Sequence, residues 1–493
     1  MKVKTAAMLM DASVAAVQAG VLDGEIKGFS LDSRSIEAGE LFFALMQEDY
    51  TRAGFNGMFA DSHAFIDEAL QSGAIAAVAR RSRVEGDAQL EGLRERLLLV
   101  DDVIAALQQL AHKVYEEWAR PVIGITGSAG KTTTKDLTAH VLSIAGHRVL
   151  KSERNYNNGL GLPLSVLQMV SDGRTPDDYD VAVLEMGMSS RGEIARLCQI
   201  TPPEIGVELL VAPVHLEYLG SLEAIAEEKC DLVTNMKADG VAVLNADDEL
   251  VLRMRDKHKG RVVTFGLENK ADVTATEIDA SHFGQFTFNL RTPLGETRAQ
   301  LSMPGQHNLM NALAAAAVAN VFEIAPEEIA RALKTAVSPH MRGEVIDFAA
   351  GFTVVDDSYN SNPRSLLSMV RTIAEGGAGS ARRWVIAGEM LELGPDSAAM
   401  HREAGRTIAR AGIDVLWGVR GMARELMEAA REAGMSAADV KFFESADDAA
   451  AALEKEMREG DLILVKGSRG VRMDKIVAHL RERFPITGED ERE

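Results

Sequence analysis

Short apolar runs bounded by glycine, proline or charged residues recur along the chain, with apolar positions at helical spacing between them. "PVIGIT", "HRVLKS", "VAVLEM", "EIGVELLV", "GVAVLN" and "RVVTFGL" predict strands, and helical patterns separate most of them. Such alternation predicts a parallel sheet with crossover helices. "QFTFNLRTPLGETRAQLSM" then alternates in twos and breaks at Pro293-Leu294-Gly295, the pattern of a hairpin; "HNLMNALAAAAVANVF" and a stretch opening at Pro326 read as helices. Past "TAVSPHMRGE" a second alternation predicts another open, mostly parallel sheet from "FTVVDDS", "RRWVIAGE", "DVLWGV", "VKFFES" and "DLILVKGS". Ahead of both lies a smaller mixed unit with "IKGFSLDSRSI", "ELFFAL", "AIAAVARR" and "RLLLVDD", joined to the rest by the helix "VIAALQQLAHKVYEEWA".

Composition narrows this picture. The 493 residues correspond to about three domains at ~150 residues each. A formal net charge of −21 argues against nucleic acid or an anionic membrane surface as the main partner. Cys198 and Cys230 are the two cysteines and lack metal-type spacing, which fits a reducing compartment. The opening "MKVKTAAMLMDASVAAVQAG" reads as an amphipathic helix, since Asp11 interrupts its apolar run, and no stretch approaches the ~20 apolar residues of a membrane span. The expectation is a cytoplasmic protein, monomeric, with a charged, disordered tail "ITGEDERE".

The chemistry begins at "GITGSAGKTTTKDL", from Gly124 to Leu137. A strand followed by Gly-Lys-Thr and a helix is a phosphate cradle, although the outer glycine stands one residue too early for the usual spacing. Backbone N–H groups from Gly127, Ser128, Ala129 and Gly130 and the helix N-terminus face an anion, Lys131 reaches terminal phosphates, and Thr132, followed by Thr133, offers a hydroxyl to Mg²⁺. Glu185 ends the strand "VAVLE", where open sheets bind ligands, and places a hard oxygen opposite Thr132. A helix beginning at Ser221 has the stripe Leu222, Ile225, Ala226, Leu232, Val233 and Met236, and Lys229 falls in its middle. Either Lys229 snorkels at the edge of the stripe, or it is buried and its pKa falls, which leaves an amine able to react with CO₂.

The loop "TGSAGKTTTKDL" resembles that of the Mur ligases, whose cradle has this shorter spacing. "ERNYNNGLGLPLSVL", "LEMGMSSRGEI", "VHLEYLGSLEAIAEEK", "LNADD", "MPGQHNLMNALAAAA", "MRGEVID" and "VVDDSYNSNP" resemble blocks of the same family in the same order, across residues 122–363. "DDSYNSNP", "DSRSIEAGELFFAL" and "LVKGSRG" are most like members acting at the tripeptide stage. The resemblance implies an α/β protein of three domains: residues 1–110 for a UDP-sugar, a central P-loop-type ATP domain over 111–338, and a Rossmann-like domain over 339–493 for the incoming dipeptide and part of ATP. The implied substrates are ATP, UDP-N-acetylmuramoyl-tripeptide and D-alanyl-D-alanine, with two Mg²⁺ ions.

The resemblance also implies roles. His215 would hold a second Mg²⁺, and Lys229 would be carbamylated and help position a metal. His307, Asn308 and Asn311 would lie against adenine, with capping as the alternative for Asn308. Arg342 would approach the ATP phosphates, and Asp357 the ribose, a role its neighbour Asp356 also fits. Ser33 and Arg34 would serve the uracil or diphosphate end, though "DSHAF" at Asp61–Phe65 and the preceding "EDYTRAGFNGMFA" depart from the family pattern. Asn155, Asn157 and Asn158 are substrate-facing or turn-forming. Asn360 and Asn362 would face the dipeptide, and Lys466, Ser468 and Arg469 its carboxylate, or form a basic strand-end turn. The implied reaction is ATP-driven amide formation through an acyl phosphate. Another Mur step, a folylpolyglutamate synthase, a P-loop switch and an inactive scaffold are the competing classes. The third residue of the muropeptide stays open between diaminopimelate and lysine.

Overall fold

The computed structural model describes residues 1–487 apart from Asn56, Arg154, Asn155, residues 214–218, Ser281, His282 and Ala378. Two of its sheets carry the parallel strands the sequence pattern predicts, and the smaller leading unit forms a parallel sheet as well. In this first sheet, β1 (Gly28–Ser30), β2 (Glu40–Phe43), β3 (Ala76–Arg80) and β4 (Leu97–Val100) lie side by side in chain order, all parallel.

The central sheet comprises β5 (Val122–Thr126), β6 (Val149–Lys151), β7 (Val181–Glu185), β8 (Ile205–Glu208), β9 (Val241–Asn245) and β10 (Arg261–Phe265), in the order β10-β9-β8-β5-β7-β6. Every pairing is parallel. Its strands are continuous apolar runs because both faces are covered. One face packs on helices Lys131–Ile144 and Gln306–Val321; the alanines of the second, buried from Ala312 to Ala319, let it approach closely. The other face packs on helices Val103–Trp118, Glu193–Ile200 and Leu222–Asn235. The same apolar cluster takes in Leu41, Val78 and Leu98 of the first sheet, so one continuous core joins the two.

An antiparallel sheet of β11 (Thr274–Asp279), β12 (Phe286–Thr292) and β13 (Gly295–Leu301) follows, with its hairpin turn at Pro293-Leu294. The last sheet contains β14 (Glu344–Asp347), β15 (Thr353–Asp357), β16 (Arg382–Gly388), β17 (Val415–Val419), β18 (Val440–Phe443) and β19 (Asp461–Lys466), ordered β14-β15-β19-β16-β17-β18. Only the edge strand β14 pairs antiparallel.

The two ends of the chain differ from the sequence expectation. The N-terminal twenty residues are not one helix: Val3–Leu9 is helical, Asp11 takes a left-handed φ of 53°, and a second short helix covers Ala19–Asp23. The tail is anchored before its charged part, since Ile486 bridges to Phe348 and Thr487 N donates to Asp347 O at 2.8 Å; residues 488–493 are outside the described set. Among the described residues no helix is long and apolar enough to cross a membrane.

Candidate active site

The carboxyl ends of β5 and β7 lie beside the loop of residues 127–130 and the start of helix Lys131–Ile144. Gly127 and Gly130 have φ of 152° and 86°, and a Cβ on Gly130 would run into Asn311 Oδ1, so the turn needs glycine. Ser128 pins the loop to the chain after β8: its N–H donates to Leu210 O at 2.8 Å and its hydroxyl to Ala212 O at 3.0 Å. The Lys131 ammonium donates to Gly127 O at 2.9 Å, folded back over its own loop. Burial pulls its pKa below the usual lysine range, against the opposing pull of Glu185.

Register decides where the acids point. Ile125 pairs with Glu185 and Thr126 with Glu208, so the two glutamates stand on opposite faces of the sheet at the same end. Glu185 faces the loop helix. Its Oε2 accepts the Thr132 hydroxyl at 2.7 Å and its Oε1 accepts Asn157 Nδ2 at 2.8 Å. Glu208 faces helix Leu222–Asn235, is fully buried, and has neither oxygen hydrogen-bonded within the described structure, which raises its pKa well above the carboxylate range. Sequence reasoning missed Glu208 because it sits inside the apolar run "EIGVELLV".

Helix Leu222–Asn235 begins where expected, with the Ser221 hydroxyl accepting Ala224 N–H at 3.1 Å. Lys229 is only 2 % exposed, which excludes the snorkelling alternative. Burial, then the Lys131 charge, push its pKa down to about 7, against the pull of Glu208 and Glu228. Glu228, next on the helix, accepts Gly192 N–H at 2.6 Å and Ile194 N–H at 3.1 Å and so caps helix Glu193–Ile200.

A cavity of about 380 Å³ opens between the central and last sheets. Among the residues singled out from sequence it gathers Ser128, Ala129, Gly130, Lys131, Thr132, Thr133, Asn157, Asn158, Glu185, His307, Asn308, Asn311, Arg342, Asp357, Asn360, Asn362 and Lys466. Gly187, Met188, Ser189, Glu193, Tyr359, Ser361 and Ser365 complete the lining; sequence reasoning did not single them out, although all lie in or beside quoted motifs. His307 Nδ1 lies 3.1 Å from Ser368 Oγ, and burial lowers its pKa to about 4. Asn308 reaches Pro304 O at 2.7 Å, and Asn311 takes the Thr134 hydroxyl at 3.2 Å, tying this helix to the loop helix. Of the two adjacent aspartates, Asp357 lines the cavity and pairs with Lys466 Nζ at 2.6 Å, while Asp356 is buried away from it.

Other residues lie elsewhere. Gly127 and Lys229 sit behind the lining. Ser33 and Arg34 are outside the cavity, in a short 3₁₀ turn where Arg34 is held by Asp32 at 2.7 Å. Ser468 is buried, its hydroxyl donating to Ser361 O at 3.3 Å and accepting Leu391 N–H at 2.9 Å; like Arg469 it is outside the cavity lining. The departing segment is locally ordered: Asp61 caps the turn at Ser62–Phe65, and His63 is buried and accepts Arg80 N–H at 3.0 Å. Asn155 and His215 lie outside the described residues.

The donor set fits a hard divalent cation. Thr132 and Glu185 present a hydroxyl and a carboxylate, within hydrogen-bond distance of each other, at the cavity wall beside the phosphate loop. Loop, strand-end acid and second sheet together define a multidomain nucleotide-binding protein of the phosphate-loop class.

Comparison with known proteins narrows that class. Residues 125–319 match the Mur ligase middle domain, and residues 341–469 the Mur ligase glutamate ligase domain. The chain is 33% identical over 457 residues to the UDP-N-acetylmuramoyl-tripeptide–D-alanyl-D-alanine ligase of Bacillus subtilis, covering 93% of each protein. The crystal structure of MurF from Acinetobacter baumannii superposes with a TM-score of 0.82 at 27% identity, covering 98% of both chains. MurF ligase from Thermotoga maritima, in complex with ADP, gives 0.76 at 27% identity, covering 93% of this chain and 98% of that one. The chain belongs to the Mur ligase family.

Proposed function

We infer that the protein is an ATP-dependent, ADP-forming ligase of peptidoglycan precursor synthesis, which adds D-alanyl-D-alanine to UDP-N-acetylmuramoyl-tripeptide. The observation that carries this is the likeness, over nearly the whole chain, to a ligase named for that reaction. The cavity supplies the fitting chemistry. The tripeptide carboxylate is a poor electrophile, so its oxygen attacks the γ-phosphate and ADP leaves. The amine of the dipeptide then attacks the acyl carbon, forming the amide bond as phosphate departs.

In this reading the loop amides and Lys131 bind the phosphates, and Lys131 releases Gly127 O to do so. Magnesium, held by Thr132 and Glu185, would offset charge on the phosphoryl group; His215 and a carbamate on Lys229 would serve a second ion. Arg342 reaches the phosphates, Asp357 the ribose, and His307, Asn308 and Asn311 the base. Asn155, Asn157 and Asn158 meet the muramoyl peptide, Asn360 and Asn362 the dipeptide, and Lys466 with Arg469 its carboxylate. Ser33 and Arg34 take the uridine nucleotide. The division at residues 110 and 338 assigns UDP-sugar, ATP and dipeptide to successive domains, whose closure excludes water. The protein acts as a monomer in this reading. The cytoplasm supplies ATP, and both cysteines are free thiols.

The test is ADP release by purified protein with Mg²⁺. Release that requires both the UDP-tripeptide and D-alanyl-D-alanine, with a product of the summed mass, supports the assignment. Release with a free amino acid instead points to another step of the family, and release without acceptor or amine points to a switch.

A further inference from the structure

We propose that Tyr359 is a positioning residue: its ring face holds the Arg342 guanidinium in the cleft and leaves the N–H donors free for phosphate. The proposal rests on the reading of Arg342 as a phosphate-binding group. The Arg342 guanidinium carbon lies 4.0 Å from the Tyr359 ring centroid. Its side chain makes no hydrogen bond or ion pair with any described residue. Other arginines of the same region are neutralised by carboxylates, Arg402 by Glu425 at 3.0 Å and Arg481 by Glu344 at 2.6 Å, and Arg382, which also lies over the Trp384 ring, is paired with Asp461 at 2.6 Å.

The difference matters chemically. A carboxylate consumes the donors of a guanidinium and cancels its charge, whereas an aromatic face attracts the cation through its quadrupole and uses none of them. Arg342 is thus held in place while its fork remains open to an anion. Both residues line the cavity, and the Arg342 charge reaches Lys131 on the opposite wall.

The ring is itself fixed. Tyr359 N–H donates to Met341 O at 3.2 Å, beside Arg342. The next two carbonyls are fastened to the segment at the end of β19, Asn360 O by Lys466 Nζ at 2.9 Å and Ser361 O by the Ser468 hydroxyl at 3.3 Å. A second cation, Arg469, lies 5.8 Å from the same centroid. The Tyr359 hydroxyl has no partner among the described residues, so the face carries the role.

The experiment is calorimetric binding of a non-hydrolysable ATP analogue with Mg²⁺ to the full chain and its Tyr359→Phe, Tyr359→Leu, Arg342→Ala and Tyr359→Leu/Arg342→Ala variants. Tyr359→Phe is expected to bind within about twofold of the parent and Tyr359→Leu about tenfold more weakly. In the Arg342→Ala background Tyr359→Leu should add nothing, because the group it positions is gone. Affinity for the UDP-muramoyl tripeptide should not move in any variant. If Arg342→Ala weakens binding but Tyr359→Leu does not, or does so equally without Arg342, or if Tyr359→Phe is as weak as Tyr359→Leu, the positioning role is overturned alone. If Arg342→Ala itself binds normally, the phosphate assignment fails and takes the positioning role with it.

Discussion

The Thr132 hydroxyl donates to Glu185 Oε2 at 2.7 Å, joining the first turn of the loop helix to the end of the neighbouring strand. Asn157 holds the other carboxylate oxygen, so the acid is fixed on both sides. Such preorganisation favours a hard cation over a mobile solvated acid. Glu185→Gln keeps the size but removes the charge and turns one of the two acceptor oxygens into a donor, whose hydrogen bond the rotatable Thr132 hydroxyl can accept. Ligation should fall by about 100-fold or more, with the magnesium requirement raised and the unfolding midpoint little changed. ADP release across a magnesium series, with thermal unfolding alongside, measures both.

Gly130→Ala tests the shortened cradle. The site has a φ of 86°, and the added Cβ collides with Asn311 Oδ1, which already takes the Thr134 hydroxyl. The variant should lose roughly 1–3 kcal/mol of stability in urea unfolding and bind ATP analogue more weakly. A variant with parental stability and affinity would show that the turn tolerates a side chain.

His307 gives a pH signature. Burial lowers its pKa from 6.5 to about 4, with Asp357 opposing and Lys466 reinforcing the shift. Between those values the unfolded chain binds more protons than the folded one, so stability rises with pH across the window and is lost as pH falls from 6.5 toward 4. Relative to His307→Gln, the parent should lose about 3 kcal/mol at most over that interval, with a constant difference above it. Parallel urea-unfolding profiles at every pH would contradict the shift.

Lys229 has the environment a carbamate needs. It is nearly inaccessible and its pKa is close to 7, so a substantial fraction of the amine is neutral near neutral pH. In ¹³CO₂-equilibrated buffer the protein should show a carbamate carbonyl resonance that disappears in Lys229→Ala. A resonance unchanged by the substitution would assign the carbamate elsewhere, and none in the parent would leave Lys229 unmodified.

Local pattern made much of this molecule legible. The central strands, the loop and the helix bearing Lys229 are visible because apolar runs, glycine spacing and a 3.6-residue stripe are local features. The stripe leaves Lys229 between burial and snorkelling, and only the packed fold, where it is 2 % exposed, decides. What local pattern does not contain is partnership across the chain. Edge strand β14, half-exposed and broken by charge, gives no apolar run, and neither does β11. Glu208 hides within a strand, and its burial near Lys229 depends on a helix distant in sequence. The choice between Asp356 and Asp357 follows from which way β15 faces, and the role of Tyr359 from the distance to Arg342. Ser468 looks free as a strand-end serine, yet in the fold it clamps two loops.

The most direct test of the central claim, that the cavity activates a carboxylate by phosphorylation, is isotope transfer. UDP-tripeptide carrying ¹⁸O in both oxygens of its terminal carboxylate is turned over with ATP and D-alanyl-D-alanine, and the released phosphate is analysed by mass. The account predicts one ¹⁸O in each phosphate and one retained in the new amide. Phosphate free of ¹⁸O, with product formed, would contradict it.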